Sequence, residues 1–199
     1  MELLIVIVIG SIVTGGILMI WFSISRSSAM TTSHAEARDF ARDGIARLSR
    51  EIRDAEAVPG KQAVQQARPN SIAFTTTFNV TGSEFDTTKP RLVRYVYDDV
   101  AGCLYRDTYA DGETDLDSYA RRDIVIPHML NDGAGLFNYT YVPSDGGSPL
   151  PAPEVTDPGN LSRILLVRIH VIVDLDPGKA PNGMDITTEV QLRNQRILD

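Results

Sequence analysis

Leu3-Leu4-Ile5-Val6-Ile7-Val8-Ile9-Gly10-Ser11-Ile12-Val13-Thr14-Gly15-Gly16-Ile17-Leu18-Met19-Ile20-Trp21-Phe22 is a run of 20 residues without a charge, 15 of them large and apolar. At ~1.5 Å per residue such a helix covers the ~30 Å hydrocarbon core of a bilayer, so the stretch reads as a membrane segment. It exceeds the ~7–15-residue apolar core of a secretory signal, and no small-residue cleavage pattern follows it, which points to retention in the mature protein. One acid, Glu2, abuts the run. A carboxylate at that edge is costly unless it stays at the interface or meets a cation.

The helical pattern continues past the membrane segment. No proline occurs before Pro59. From Ala29 onward, Ala37, Phe40, Ala41, Ile45, Leu48, Ile52 and Ala55 recur at spacings of three and four, forming one apolar stripe. Opposite it stand Arg38, Asp39, Arg42, Asp43, Arg47, Arg50, Glu51, Arg53 and Asp54, among which Asp43/Arg47 and Arg50/Asp54 have the spacing of helical ion pairs. Pro59-Gly60 ends the helix. The stripe is short and rich in alanine, which suits packing against a sheet better than a coiled-coil stalk, so Phe40, Ile45, Leu48 and Ile52 are the expected helix-sheet contacts.

The rest of the chain, about 140 residues, is long enough to build its own core. A net charge of −7 argues against nucleic acid as a main partner, because a phosphate backbone needs a clustered basic surface. The single cysteine, Cys103, excludes an intramolecular disulfide and any cysteine-rich zinc site.

Beyond Pro59 the period becomes two. Ile72 to Phe78, Leu92 to Tyr97 and Leu136 to Val142 alternate, Leu104 to Arg106 is placed to pair back across the turn at Asp98 to Gly102, and Asp123 to Pro127 is a further strand. Ile164 to Val173 carries aliphatic residues at every odd position, with Arg168 and His170 on the other face. In Ile186 to Arg193 the even positions are the apolar ones, and the proline- and glycine-bearing segment Asp174 to Asp185 between these two strands reads as a long hairpin turn. Ser144 to Ser162, with four prolines and three glycines, reads as an exposed loop. The expected class is therefore α+β, a mainly antiparallel sheet packed on the helix. The chain divides into residues 1–25, the membrane half of the helix; 26–57, its amphipathic half; and 58–199, a β-rich head.

Glu2-Leu3-Leu4-Ile5-Val6-Ile7-Val8-Ile9-Gly10, then Ala41-Arg42-Asp43-Gly44-Ile45-Ala46-Arg47-Leu48-Ser49-Arg50-Glu51-Ile52-Arg53-Asp54-Ala55 and a β-rich remainder resemble a type IV pilin-like protein. The Leu-x-Arg-Glu-Ile-Arg motif at Leu48 to Arg53 is most similar to that of the larger minor pilins and minor pseudopilins. The resemblance covers about residues 1–57. It implies that Glu2 matches the glutamate with which these proteins join the N-terminal ammonium of a neighbouring subunit during filament assembly. It further implies a full-length precursor cut by prepilin peptidase; since only Met1 precedes Glu2, either the leader and first mature residues are missing before Met1, the favoured reading, or the chain is not processed in the usual way. Where many pilins carry a proline in the helix this chain has Met19, and Gly15-Gly16 are the local weak point, or else a site of close helix packing.

A search for catalytic chemistry yields no paired-histidine metal motif, nucleophile elbow or phosphate loop, so no enzymatic activity is expected. Asp107, Asp111, Glu113, Asp115 and Asp117 alternate around Gly112 and form a weak candidate Ca²⁺ site. The EF-hand template requires a glutamate where Ser118 stands, and the alternative is a solvated acidic loop. No other cofactor is expected. The resemblance implies a non-enzymatic subunit that initiates or caps a type IV pilus or secretion pseudopilus. Its partners would be other pilins or pseudopilins, in the cytoplasmic membrane before assembly and in an extracytoplasmic filament after it. The alternative is a monomeric, single-span membrane protein whose β-rich extracellular head binds or senses.

Overall fold

The computed structural model describes residues 2–57, 62–76, 91–110, 112–131, 133–175 and 183–193. One helix, α1 (Glu2–Arg53), runs unbroken for 52 residues, about 78 Å at the ordinary helical rise. In its first half, side chains such as Ile12, Ile17, Leu18, Ile20, Trp21 and Phe22 are all more than half exposed. Its second half is embedded in a β-rich head, where Ala41, Ile45, Leu48, Ile52 and Ala55 are buried at the 3.5-residue period of a helix seam.

The head contains two antiparallel sheets. The first is a meander of β1 (Val64–Arg68), β2 (Ser71–Thr76), β3 (Arg91–Asp98), β4 (Cys103–Thr108) and β5 (Arg121–Ile126), each strand paired with its sequence neighbour. The second comprises β6 (Phe137–Tyr141), β7 (Leu150–Ala152), β8 (Ile164–Asp174) and β9 (Gly183–Gln191) in the order β7-β6-β8-β9. A short helix, α2 (Pro158–Leu161), precedes β8 and is capped by the Asp157 carboxylate accepting from the Gly159 N–H. The class is α+β, and the helix touches β2 and β5 of one sheet and β8 and β9 of the other. A single apolar core therefore joins all three parts, with Phe74, Tyr95 and Leu104 from one side and Phe137, Ile169 and Val171 from the other.

The tight turns follow from local chemistry. In the β3–β4 hairpin, Asp98 Oδ1 accepts from the Val100 and Ala101 N–H groups at 3.0 Å each, and Gly102 supplies the positive φ of 59° that closes the turn. In β8 the aliphatic face is buried as its alternation requires, and β9 pairs with it from Asp174↔Gly183 to Leu166↔Gln191. The expected hairpin between them is thus present, although residues 176–182 of its turn lie outside the described residues.

Four expectations are corrected. The sheet is two sheets, since the 69–71 turn sends β1 and β2 against β6: Phe137 N–H donates to Pro69 O and the Tyr139 hydroxyl to Arg68 O. Phe40 is 57% exposed rather than packed on a strand. It lies about 100° round the helix from Ala41, off the buried seam. Glu51, assigned to the solvent face, is completely buried. The segment Ser144 to Ser162 is not merely an exposed loop: β7 pairs with β6, Val155 bridges Ala67, and Leu161 enters the core.

Candidate functional site

Where the amphipathic half of α1 enters the head, three charged side chains converge. Glu51 accepts from Arg106 Nε on β4 at 3.1 and 3.0 Å through its two oxygens, and from Arg47 Nε, one turn earlier on the helix, at 3.4 Å. The Glu51 side chain is fully buried and that of Arg106 is 6% exposed, whereas Arg47 reaches the surface at 32%. Arg106 also donates from Nη1 to Thr108 Oγ1 at 2.7 Å. The alternation of β4 explains the arrangement: Leu104, Arg106 and Thr108 share the face toward the helix, and a helix-borne carboxylate is what makes a buried arginine tolerable there. Burial opposes the charge on Arg106, but Glu51 outweighs it and holds its pKa above the usual value. The buried Tyr95 phenol is pushed well above its ordinary pKa, chiefly by burial and then by the charge of Glu51.

Arg47 and Arg106 lead outward into a cleft of about 680 Å³, lined also by Arg91, Arg121, Asp123, Thr108, Tyr109 and Ile124. Arg121 is 61% exposed and pairs with Asp123 across 2.9 Å. Of the four arginines lining the cleft, Arg47 and Arg106 meet Glu51 and Arg121 meets Asp123. Gly44 sets the closeness of α1 and β5, because a Cβ there would meet Cγ1 of Ile126.

On the other face of the first sheet, Asp107 is fully buried. It accepts from Arg94 on β3 at 3.0 and 3.2 Å and from Arg122 on β5 at 2.6 and 2.9 Å. That hydrogen bonding raises the pKa of Arg122, whose guanidinium also lies over the Tyr119 ring at 4.3 Å. These contacts bear on the acidic segment. Asp107 is turned to arginines in the sheet, Asp117 reaches Arg94 at 3.4 Å, Glu113 Oε1 accepts from the Thr114 and Asp115 N–H groups, and Asp115 Oδ1 from the Asp117 N–H. Asp111 lies outside the described residues. Among the described residues no three His, Cys, Asp or Glu side chains converge as a metal-binding group.

Glu2, the residue for which the resemblance implies a role in assembly, begins α1, and its side chain lies outside what is described. The helix it opens is long and apolar enough to cross a membrane, with a window of mean hydropathy 1.4 of which none is buried against the head. No known family model matches the chain, and no curated protein matches it either.

Sequence reasoning found Ile45, Leu48 and Ile52, which line the junction, but missed the Glu51–Arg106 pair and the cleft. Two signals were present. Glu51 falls three residues after Leu48 and beside Ile52, and Arg106 interrupts the inward face that begins at Leu104. A lone opposite charge on each of two amphipathic elements is the pattern of a buried pair.

Proposed function

We propose that this chain is a non-enzymatic subunit of a pilin-like filament, a minor pilin or minor pseudopilin that initiates or caps a type IV pilus or secretion pseudopilus. The observation that carries the reading is the single helix α1: one half is a bare apolar rod of membrane-spanning length, and the other is locked into a head by a buried seam and a buried ion pair. A simple anchor needs no rigid continuation into its domain. A subunit that transmits its position from a filament core to a head does. The same rod serves twice, exchanging lipid for the apolar helices of neighbouring subunits without changing its surface. Glu2, at the start of the rod, supplies the charge whose partner would be a neighbour's N-terminal ammonium, and pairing removes the cost of burying it. The head carries a proline-rich segment from Ser144 to Ser162 on one flank, bulk that favours a position with few neighbours at a tip over dense packing along a shaft.

The test is Glu2→Ala in cells that produce the protein. Membrane insertion is retained, because the apolar run is intact, while recovery in sheared filaments is lost. Undiminished recovery of the variant in filaments would refute the pairing role, and wild-type protein confined to the membrane would favour a monomeric anchored binding protein.

A further inference from the structure

A sheet edge whose backbone N–H and C=O groups stay unpaired is a template for another strand, and folded proteins block such edges. Of the four edges of the described sheets, two are blocked. β7 carries Pro151, with Pro149 and Pro153 on either side, and along β1 the Val155 N–H donates to Ala67 O. The other two, β5 and β9, both touch α1. The Leu192 N–H at the end of β9 donates to Leu165 O, so by the alternation of an antiparallel ladder its even residues bond to β8 and the backbone of Asp185, Thr187 and Glu189 points outward. In β4 the Tyr109 N–H donates to Leu92 O, so odd residues bond to β3 while Arg106 and Thr108 bond to Asp123 and Arg121 of β5, which turns the backbone of Arg122 and Ile124 outward. Among the described residues no hydrogen bond reaches these outward groups. Nor do charges guard the two edges. Asp185 is drawn back over β8 to within 2.9 Å of His170, Glu189 to within 2.6 Å of Arg168, and Arg122 over β4 to within 2.6 Å of Asp107. We propose that β5 of one copy adds to β9 of a second copy of this chain and makes one sheet continuous across the two, an inference that rests on the filament reading.

Direction singles out that occupant. Gly44 of α1 abuts Ile126, whereas Glu51, further along the helix, holds Arg106, the partner of Asp123, so β5 runs against α1. Met129 bridges Val173 and donates its N–H to Gly102 O, which sets the Gly183 end of β9 at the Ile126 end of β5, so β9 runs with α1. Two copies anchored in one membrane have parallel helices and therefore bring β5 and β9 together antiparallel. Two β9 strands would meet parallel, with slanted and less stable bonds. The faces match as well: Met184 and Ile186 of β9 pack on the core, so Asp185, Thr187 and Glu189 share the outer face, as Arg122 does with Asp107. The register shift beside Tyr105 limits the β5 edge to Arg122 and Ile124, about four hydrogen bonds at one N–H and one C=O each. Such a contact forms where the apolar rods already hold copies side by side, and it needs only two copies.

Thiol cross-linking of the full-length chain tests this, in cells that produce the protein and in a Cys103→Ser background. A copy carrying Ile124→Cys is expressed beside a tagged copy with one cysteine in place of Met184, Asp185, Ile186, Thr187, Thr188 or Glu189, and sheared filaments are treated with a short reagent that bridges two thiols. Ile12→Cys in both copies is a separate probe of association through the membrane half. The expected result is a mixed dimer that alternates, formed from Asp185, Thr187 or Glu189 and absent from the even positions. It is lost from Asp185→Cys and Glu189→Cys when Thr187→Pro is added, a change that removes an outward N–H, spares the β8–β9 ladder and leaves the chain resistant to protease. Should Thr187→Pro lose that resistance, the alternation alone decides. Equal cross-linking from odd and even positions, or a dimer that survives Thr187→Pro in a protease-resistant chain, overturns strand pairing, and a cross-link only to a chain of different mass overturns a second copy as the occupant. If Ile12→Cys copies cross-link and no β5–β9 pair does, the strand contact is overturned and the filament reading stands; absence of every cross-link overturns both.

Discussion

Arg106→Met isolates the feature on which the union of helix and head depends. In the wild-type chain Glu51 is fully buried and is held by two 3.0–3.1 Å contacts from Arg106, with a 3.4 Å contact from the partly exposed Arg47 besides. Removing Arg106 leaves a buried carboxylate without its closest cation, a change that costs about 3–5 kcal/mol when a buried pair is broken. At ~2–4 °C per kcal/mol for a domain of this size, the melting temperature should fall by roughly 6–20 °C. Glu51→Met should cost a similar amount by stranding Arg106. The double variant Glu51→Met with Arg106→Met should recover most of the loss, since two flexible apolar side chains fill the space with no charge to desolvate. Thermal unfolding of residues 28–199, followed by circular dichroism, measures all three. A single variant that melts within error of wild type, or a double variant whose loss equals the sum of the singles, would refute the argument that the pair is buried and mutually dependent.

Residues 28–199 should themselves be soluble and melt cooperatively, because every residue of the shared core lies within them; Leu48→Asp, which sets an unpaired charge at a completely buried position, should abolish that transition. Gly44→Ala should lower stability by about 1–2 kcal/mol in chemical denaturation, despite the ~1 kcal/mol that alanine gains over glycine in a helix, because its Cβ would meet Ile126. The head should weaken in strong alkali. Burial pushes Tyr109 up to about 12 and Tyr95 and Tyr139 well above their ordinary value, so these folded-state pKa values exceed the unfolded one of ~10. The stability that the neutral phenols contribute is complete below pH ~10 and lost as pH rises through the folded values, which a series of melting curves across that range should show, with a smaller drop in Tyr109→Phe.

How far the sequence could be read depended on which physical signal each element carries. The helix seam declared itself because Ala41, Ile45, Leu48, Ile52 and Ala55 repeat with a period that only a one-sided helix produces, and β8 and β9 did so because their alternation is clean. Phe40 was misplaced because it directly precedes Ala41, about 100° round the helix, so it cannot share the seam to which Ala37 and Ala41 belong. β1 gave no signal: Val64-Gln65-Gln66-Ala67-Arg68 has its two buried residues three apart, with a register shift between Val64 and Gln66 that breaks the alternation. The short strand β7 hid among prolines, tolerated there because it lies at the edge of its sheet. The division into two sheets is a long-range property, set by where the 69–71 turn meets β6, and no local pattern encodes it. Glu51 and Arg106 were illegible singly, because a charge on an amphipathic element reads as solvated until its partner in the opposite element is known.

Quantitative mass spectrometry of filaments sheared from producing cells decides whether this chain takes its place in a filament. The expected result is recovery there as a minor component beside a far more abundant subunit; recovery as the dominant protein would rule out the minor, tip-bound position, and absence from the filaments with full retention in the membrane would rule out the filament role.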